Sequence, residues 1–335
     1  MTLHENGRAA QRSRTIETVG PLALATGITL RVARSGVRDG GAPTLVLAHG
    51  WSQDLRTWDR VVADLRTAGV PGEIVRYDHR GHGGSESGGR SASTIGLAAD
   101  DLAALLRDHV EGPVVLAGHS MGGMTLMALA ERHPDLVRER VVGAGFVATA
   151  SDDMSDLTLG MPGRRGAFVA HGERAVMPWL ASLGNRAPVH RADPEGSGVH
   201  TRSVALAPVV RALVFGRHAR RADVLSVAEQ TFAADPVAVL AFRESIGEHR
   251  RTSSLEALRG VPTVVLVGGR DRLCPPDHAH TIAAALPDAE LVVLPGAGHM
   301  ITFERSQEVA AHLQGLVEAA TVPAPAVVRK TNTYA

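Results

Sequence analysis

Val114-Val-Leu-Ala-Gly-His-Ser-Met-Gly-Gly123 is the stretch on which the fold turns. Its first four residues are apolar without interruption, as a strand buried on both faces requires. From Met121 to His133 the apolar residues return at helical spacing. Between strand and helix stands Ser120, with Gly118 two residues before it and Gly122 two residues after. A serine at so sharp a strand-to-helix turn takes a strained backbone conformation. The flanking positions must then lack side chains to avoid collision. Such a turn lifts the Ser120 hydroxyl above the sheet. It also leaves the Met121 N–H at a helix N-terminus, where donors are unpaired and negative charge is favoured.

The same rhythm extends in both directions. Thr44–Ala48, Glu73–Tyr77, Val141–Val147, Thr263–Val267 and Leu291–Leu294 are further short apolar, β-branched runs. They suit buried strands of a parallel sheet. Thr15–Val19 and Ile28–Arg34 alternate more, and suit an edge hairpin. Arg56–Ala68, Thr94–Val110, Asp277–Leu286 and Glu304–Ala320 carry helical spacing, with Ser93 or Thr94 as a cap for the second and Pro134 expected to end the helix from Met121. Strand–helix alternation of this kind predicts an α/β fold, a mostly parallel central sheet with helices on both faces. Residues 151–258 break the pattern. They hold no strand run, are punctuated by Pro162, Pro178, Pro188, Pro194, Pro208 and Pro236, and carry helical patterns at Arg174–Leu183, Ala222–Ala233 and Pro236–Ile246. The expected organisation is a tail over 1–14, a core formed by 15–150 and 259–320, a helical cap inserted as 151–258, and a second tail over 321–335.

Composition narrows the function. Lys+Arg and Asp+Glu both number 35, so the formal charge is zero and no basic footprint for nucleic acid or anionic lipid exists. Met1–Arg14 is polar, without the apolar stretch of a secretory signal. The longest apolar runs, such as Val141–Ala150, fall well below the ~18 residues of a membrane span. A cytoplasmic protein is the expectation. Cys274 is the only cysteine, which excludes internal disulfides and cysteine-based metal clusters. His278 and His280, two apart, would face different sides of a helix. No metal and no cofactor is expected.

A serine hydroxyl needs a general base. His299, on the glycine-rich loop Pro295-Gly-Ala-Gly-His299, follows the last strand run. A base of this kind needs an orienting carboxylate, and Asp271 in Gly268-Gly-Arg-Asp271 follows the penultimate run. Asp152 and Asp153, after the Val141 run, are rival orienting acids. At the end of the Thr44 run, His49-Gly50-Trp51 places the Trp51 N–H where it can join the Met121 N–H in holding an oxyanion.

Taken together, His49-Gly50-Trp51, Tyr77-Asp-His-Arg-Gly-His-Gly-Gly-Ser85, Gly118-His-Ser-Met-Gly-Gly123, Gly269-Arg-Asp271 and Gly298-His299 resemble the α/β-hydrolase superfamily. The resemblance is to its esterase, lipase and cofactor-free haloperoxidase-like branch, and it covers about residues 15–320. It implies the α/β-hydrolase fold, with residues 151–258 matching the family's variable cap. It also implies acyl transfer by Ser120, His299 and Asp271, with Trp51 and Met121 as oxyanion donors. Asp78 and Arg80, in the Tyr77–Ser85 marker, are expected to brace loops. Epoxide hydrolases and haloalkane dehalogenases of this fold need a carboxylate nucleophile, which Ser120 is not. The expected substrate is a small acyl compound bound in a mainly apolar pocket, with Met124, Met300, Trp179 and Phe168 as candidate lining residues. Acyl transfer to another acceptor, perhydrolysis and ligand binding without turnover are the alternatives. The acyl chain, the acceptor and the oligomeric state leave no readable motif.

Overall fold

A computed structural model of the chain describes residues 17–37, 41–154, 197–217 and 219–321. Eight strands form one sheet in the order β1-β2-β4-β3-β5-β6-β7-β8. They are β1 Thr18–Ala23, β2 Thr29–Ser35, β3 Thr44–Ala48, β4 Ile74–Tyr77, β5 Val114–His119, β6 Val141–Val147, β7 Thr263–Gly268 and β8 Glu290–Leu294. β2 runs antiparallel to β1 and β4, and every pair from β4 to β8 is parallel. The two expected edge segments do form a hairpin, although its first strand begins at Thr18 rather than Thr15. At that edge β1 alternates in exposure, whereas every residue of β3, β5 and β7 is buried. Burial on both faces is why the central runs read as unbroken apolar sequence.

Helices cover both faces. On one side α2 (Ile95–Asp108), α3 (Met121–Arg132) and α8 (Pro276–Ala285) bury Leu102, Leu105, Met127 and Ile282 with Phe146 of the sheet. On the other, α1 (Asp59–Thr67) and α10 (Ser306–Thr321) bury Val61, Leu65, Leu313 and Val317 against Leu45, Leu47 and Val115. Each such large side chain stabilises the fold by about 1.5–3 kcal/mol. Thr94 caps α2 by accepting from the Leu97 N–H at 3.2 Å.

The structure bears out one local expectation, with an addition, and corrects two others. The helix from Met121 ends at Arg132, and Pro134 opens a further short helix, α4 (Pro134–Arg140), at its first position. That place suits a residue with no N–H to offer. Glu304–Ala320 is not continuous: α9 (Ile301–Glu304) and α10 are separated at Arg305. Pro208 does not break a helix but lies inside α5 (Ser197–Val214).

The excursion between β6 and β7 begins and ends at one place: Arg251 N–H donates to the Ser151 carbonyl at 2.8 Å. Its described helices are α5, α6 (Arg221–Ala233) and α7 (Pro236–Gly247). They meet the loops that follow β3, β4 and β8. The Trp51 indole N–H donates to the Val239 carbonyl at 2.7 Å, Asp235 N–H to Gly81 O at 3.1 Å, and His299 N–H to Val214 O at 2.8 Å. These helices therefore sit over the carboxyl edge of the sheet, where ligands of open α/β sheets bind. The proposed helix at Arg174–Leu183 and both terminal tails up to residue 14 and from residue 322 lie outside the described residues. No single helix among those described is long and apolar enough to cross a membrane.

Candidate active site

Ser120 stands between β5 and α3 with φ 53° and ψ −119°. That is a costly conformation for a residue with a Cβ, on the order of 1–3 kcal/mol. It is held by its backbone: Ser120 N–H donates to Val147 O at 2.9 Å, and its carbonyl accepts from the Gly123 N–H at 2.9 Å and the Thr149 hydroxyl at 2.7 Å. A Cβ on Gly118 would run into the Gly122 backbone, and one on Gly122 into the Ala48 carbonyl. The two glycines thus let the turn close against β3.

The loops after β7 and β8 bring Asp271 and His299 together. His299 Nδ1 lies 2.8 Å from Asp271 Oδ2, and both residues are 4% exposed. Asp271 Oδ1 accepts from the Leu273 and Cys274 N–H groups, each at 2.9 Å. The carboxylate is therefore fixed from behind. Asp152 is engaged elsewhere, accepting from the Asp153 N–H at 2.8 Å and pairing with Arg250 at 3.0 Å. His299 itself is gripped at three points. Asp271 holds the ring, the Val214 carbonyl at the end of α5 accepts from its N–H, and its own carbonyl accepts from His119 Nε2 at 3.0 Å. Next to it, the Glu304 carboxylate accepts from Gly298 N–H at 2.8 Å and Gly216 N–H at 3.0 Å, clamping the histidine loop to the end of α5.

Gly50 approaches the turn closely. A Cβ there would lie 3.1 Å from the Ser120 Cβ and 2.9 Å from His119 Nδ1. The loop bearing Trp51 thus lies against the Ser120 turn. Among the described residues no hydrogen bond ends on the Trp51 or Met121 N–H. Met124 is 1% exposed in the core beside α2, and Met300 packs with Phe215 just after α5, Val224 and Val227 of α6, and Phe303 of α9. Trp179 and Phe168 lie outside the described residues. Asp78 accepts from Leu55 N–H at 2.7 Å and Gly84 N–H at 2.8 Å, and Arg80 grips Asp101 with two contacts of 2.6 Å. Both brace loops. No group of three or more His, Cys, Asp or Glu side chains that could hold a metal occurs among the described residues. Sequence reading passed over His119, Val214 and Glu304. His119 stands inside the Gly118–Gly123 motif, but its partner and that of Val214 are remote in sequence, as is one of the two partners of Glu304.

Buried histidines set the response to acid. Desolvation holds His49, His119 and His249 down to about 3, His82 to about 4, and His79 well below the ordinary value. Asp78 goes the other way, pushed up to about 6 by burial and then by Asp54. Below about pH 6.5 the unfolded histidines take up protons that the native ones refuse, which costs on the order of 1 kcal/mol per group and pH unit. Asp78 offsets one such group below pH 6. The stability linked to these histidines is complete above pH 6.5 and is lost as the pH falls towards their native values. The thermal unfolding midpoint is expected to fall continuously from pH 7 to pH 5. A midpoint that stays level across that range would show that these rings are not buried and neutral.

A sheet of this order, a strained serine between β5 and α3, and an Asp–His pair on the loops after β7 and β8 define an α/β-hydrolase architecture. A family model described as the alpha/beta hydrolase family matches residues 45–312, and the chain belongs to that family. It is 28% identical over 274 residues to the dihydrolipoyllysine-residue acetyltransferase component of the acetoin cleaving system of Pseudomonas putida. That match takes in 81% of this chain and 62% of the relative, so this chain spans less than two thirds of that protein. It is 26% identical over 285 residues to a pimeloyl-[acyl-carrier protein] methyl ester esterase of Aromatoleum aromaticum, covering 82% of this chain and 98% of the relative. Its structure is similar to that of the enol-lactonase from Burkholderia xenovorans LB400, with a TM-score of 0.66 and 26% identity over 89% of this chain and 100% of the other.

Proposed function

We propose that the protein is a serine hydrolase that cleaves a carboxylic ester or related acyl compound through an acyl-enzyme intermediate. The observation that carries this reading is the strained Ser120 turn together with the buried 2.8 Å His299–Asp271 pair, the two linked through His119, which adjoins Ser120 and reaches the His299 carbonyl. His299 takes the Ser120 proton as Oγ attacks the carbonyl carbon. Asp271 orients the ring and stabilises its imidazolium form. The Met121 and Trp51 N–H groups receive the oxyanion. His299 then protonates the leaving alcohol, and water attacks the acyl-enzyme by the same route. The esterase and lactonase among the similar proteins support ester substrates. A fluorophosphonate should label Ser120 covalently, and short p-nitrophenyl esters should be hydrolysed with a burst of p-nitrophenol. Absence of both labelling and turnover would leave a ligand-binding protein on this fold.

A second reading keeps the machinery and changes the acceptor. The Pseudomonas putida relative is named for acetyl transfer, which favours a test with competing alcohols, amines and peroxide. Product analysis then separates transfer from hydrolysis.

The pocket belongs to the proposal as well. With the cap helices over the carboxyl edge, a mainly apolar acyl site is expected to have a cap wall. Trp179→Ala or Phe168→Ala should alter the ratio of rates on short and long acyl esters while leaving fluorophosphonate labelling intact. Unchanged chain-length profiles for both variants would remove these two residues from the pocket.

A further inference from the structure

We infer that His119 is a positioning residue that fixes the main chain of His299 relative to Ser120, an inference that rests on the serine-hydrolase reading. His119 is the last residue of β5 and is bonded directly to Ser120, so it moves with the nucleophile. Its Nε2 lies 3.0 Å from the carbonyl oxygen of His299, a residue 180 positions further on. The two rings meet at a centroid distance of 4.9 Å. On the opposite side the Nδ1 faces Gly50, where a Cβ would come within 2.9 Å. One ring is thus packed among the nucleophile turn, the base loop and the loop that carries Trp51.

The hydrogen-bond chemistry separates this role from simple filling. A carbonyl oxygen can only accept, so His119 Nε2 carries the hydrogen and Nδ1 is bare. That Nδ1 is buried and has no hydrogen-bond partner. A bare buried nitrogen is unfavourable compared with a carbon in the same place. An apolar ring would therefore fill the space better, and what it would lack is the N–H toward His299. Burial, reinforced by the charge His299 gains, holds His119 down to about 3. The ring stays neutral and does not compete for the Ser120 proton. Main-chain placement matters because proton transfer needs His299 within hydrogen-bond reach of Ser120 Oγ. A displacement of about 1 Å can cost on the order of 10²-fold.

Glutamine and asparagine provide a matched test. In His119→Gln the amide nitrogen is as many bonds from Cα as Nε2, so the donor is kept. In His119→Asn the amide nitrogen reaches only the Nδ1 position, and His119→Phe keeps the ring without any donor. With p-nitrophenyl acetate, the Asn and Phe variants should lose about 10- to 100-fold in kcat, with KM within about threefold. Labelling by a fluorophosphonate should slow in step, and the acid limb of kcat/KM should stay in place. The Gln variant should recover most of the loss. Rates are taken per mole of protein folded by circular dichroism. If the Phe variant does not fold, the difference between Gln and Asn decides alone. Equal activity of Gln and Asn, a Phe variant as active as the parent, or a loss confined to KM overturns the inference. A parent protein that is not labelled at Ser120 overturns the serine-hydrolase reading instead.

Discussion

Ser120→Ala is expected to cut kcat by about 10⁴–10⁶ and to leave the fold intact. The chemical part follows from the proposed mechanism, since alanine offers no oxygen to form the acyl-enzyme. Oxyanion donors and substrate binding survive, so a residual acceleration over water of about 10³ can remain. The structural part follows from what holds the turn. The contacts at residue 120 run through its main-chain N–H and carbonyl, to Val147, Gly123 and Thr149. The strain at φ 53° comes from the presence of a Cβ, which alanine also has. Removal of the hydroxyl therefore touches neither the hydrogen bonds nor the strain. The thermal unfolding midpoint should stay within a few degrees of the parent's. Retention of more than a tenth of the parent kcat, with contaminating esterases excluded by active-site titration, would falsify the nucleophile assignment.

The parts of the fold legible in the sequence are those whose physical cause is local. Strands β3, β5 and β7 are buried on both faces, so each is an unbroken apolar run bounded by polar or glycine residues. The turn at Ser120 is legible because steric demand falls on fixed neighbours, Gly118 and Gly122. Asp271 and His299 could be nominated because each stands just beyond the carboxyl end of a readable strand. Their mutual contact is a property of the β7–β8 pairing, which the sequence does not spell out.

What escaped the sequence is carried by remote partners. The motif places His119 between Gly118 and Ser120 but does not show its acceptor, which lies on another loop. Glu304 reads as a helix start, whereas its carboxylate serves Gly298 and, 88 residues away, Gly216. Pro208 reads as a break because proline removes one helical hydrogen bond. It lies on the exposed side of α5, where the carbonyl it releases can be hydrated, so the helix continues. Residue Pro134 marks a boundary from either side, and only the turn at His133 decides that it opens a helix.

Asp271→Asn is expected to lower kcat by up to about 10⁴ with little loss of structure. The size follows from how the side chain is held. One oxygen, Oδ1, accepts from both the Leu273 and Cys274 N–H groups at 2.9 Å. In the variant those two donors demand the amide oxygen, because an NH₂ group there would face them donor to donor. The amide NH₂ is thereby turned toward His299 Nδ1, which in the parent stands 2.8 Å from Oδ2. An NH₂ donor at that distance favours a bare Nδ1, and the ring proton moves to Nε2. The nitrogen that should take the Ser120 proton is then already protonated. Loss of the carboxylate also removes the charge that stabilises the imidazolium. Asp152→Asn and Asp153→Asn provide the contrast, since Asp152 is committed to Arg250 and the Asp153 N–H rather than to the base. Their kcat should stay within about threefold of the parent's, a surface-substitution scale. If the large penalty fell on Asp152 or Asp153 while Asp271→Asn stayed active, the orienting carboxylate would belong to the loop after β6, and the 2.8 Å contact would be structural only.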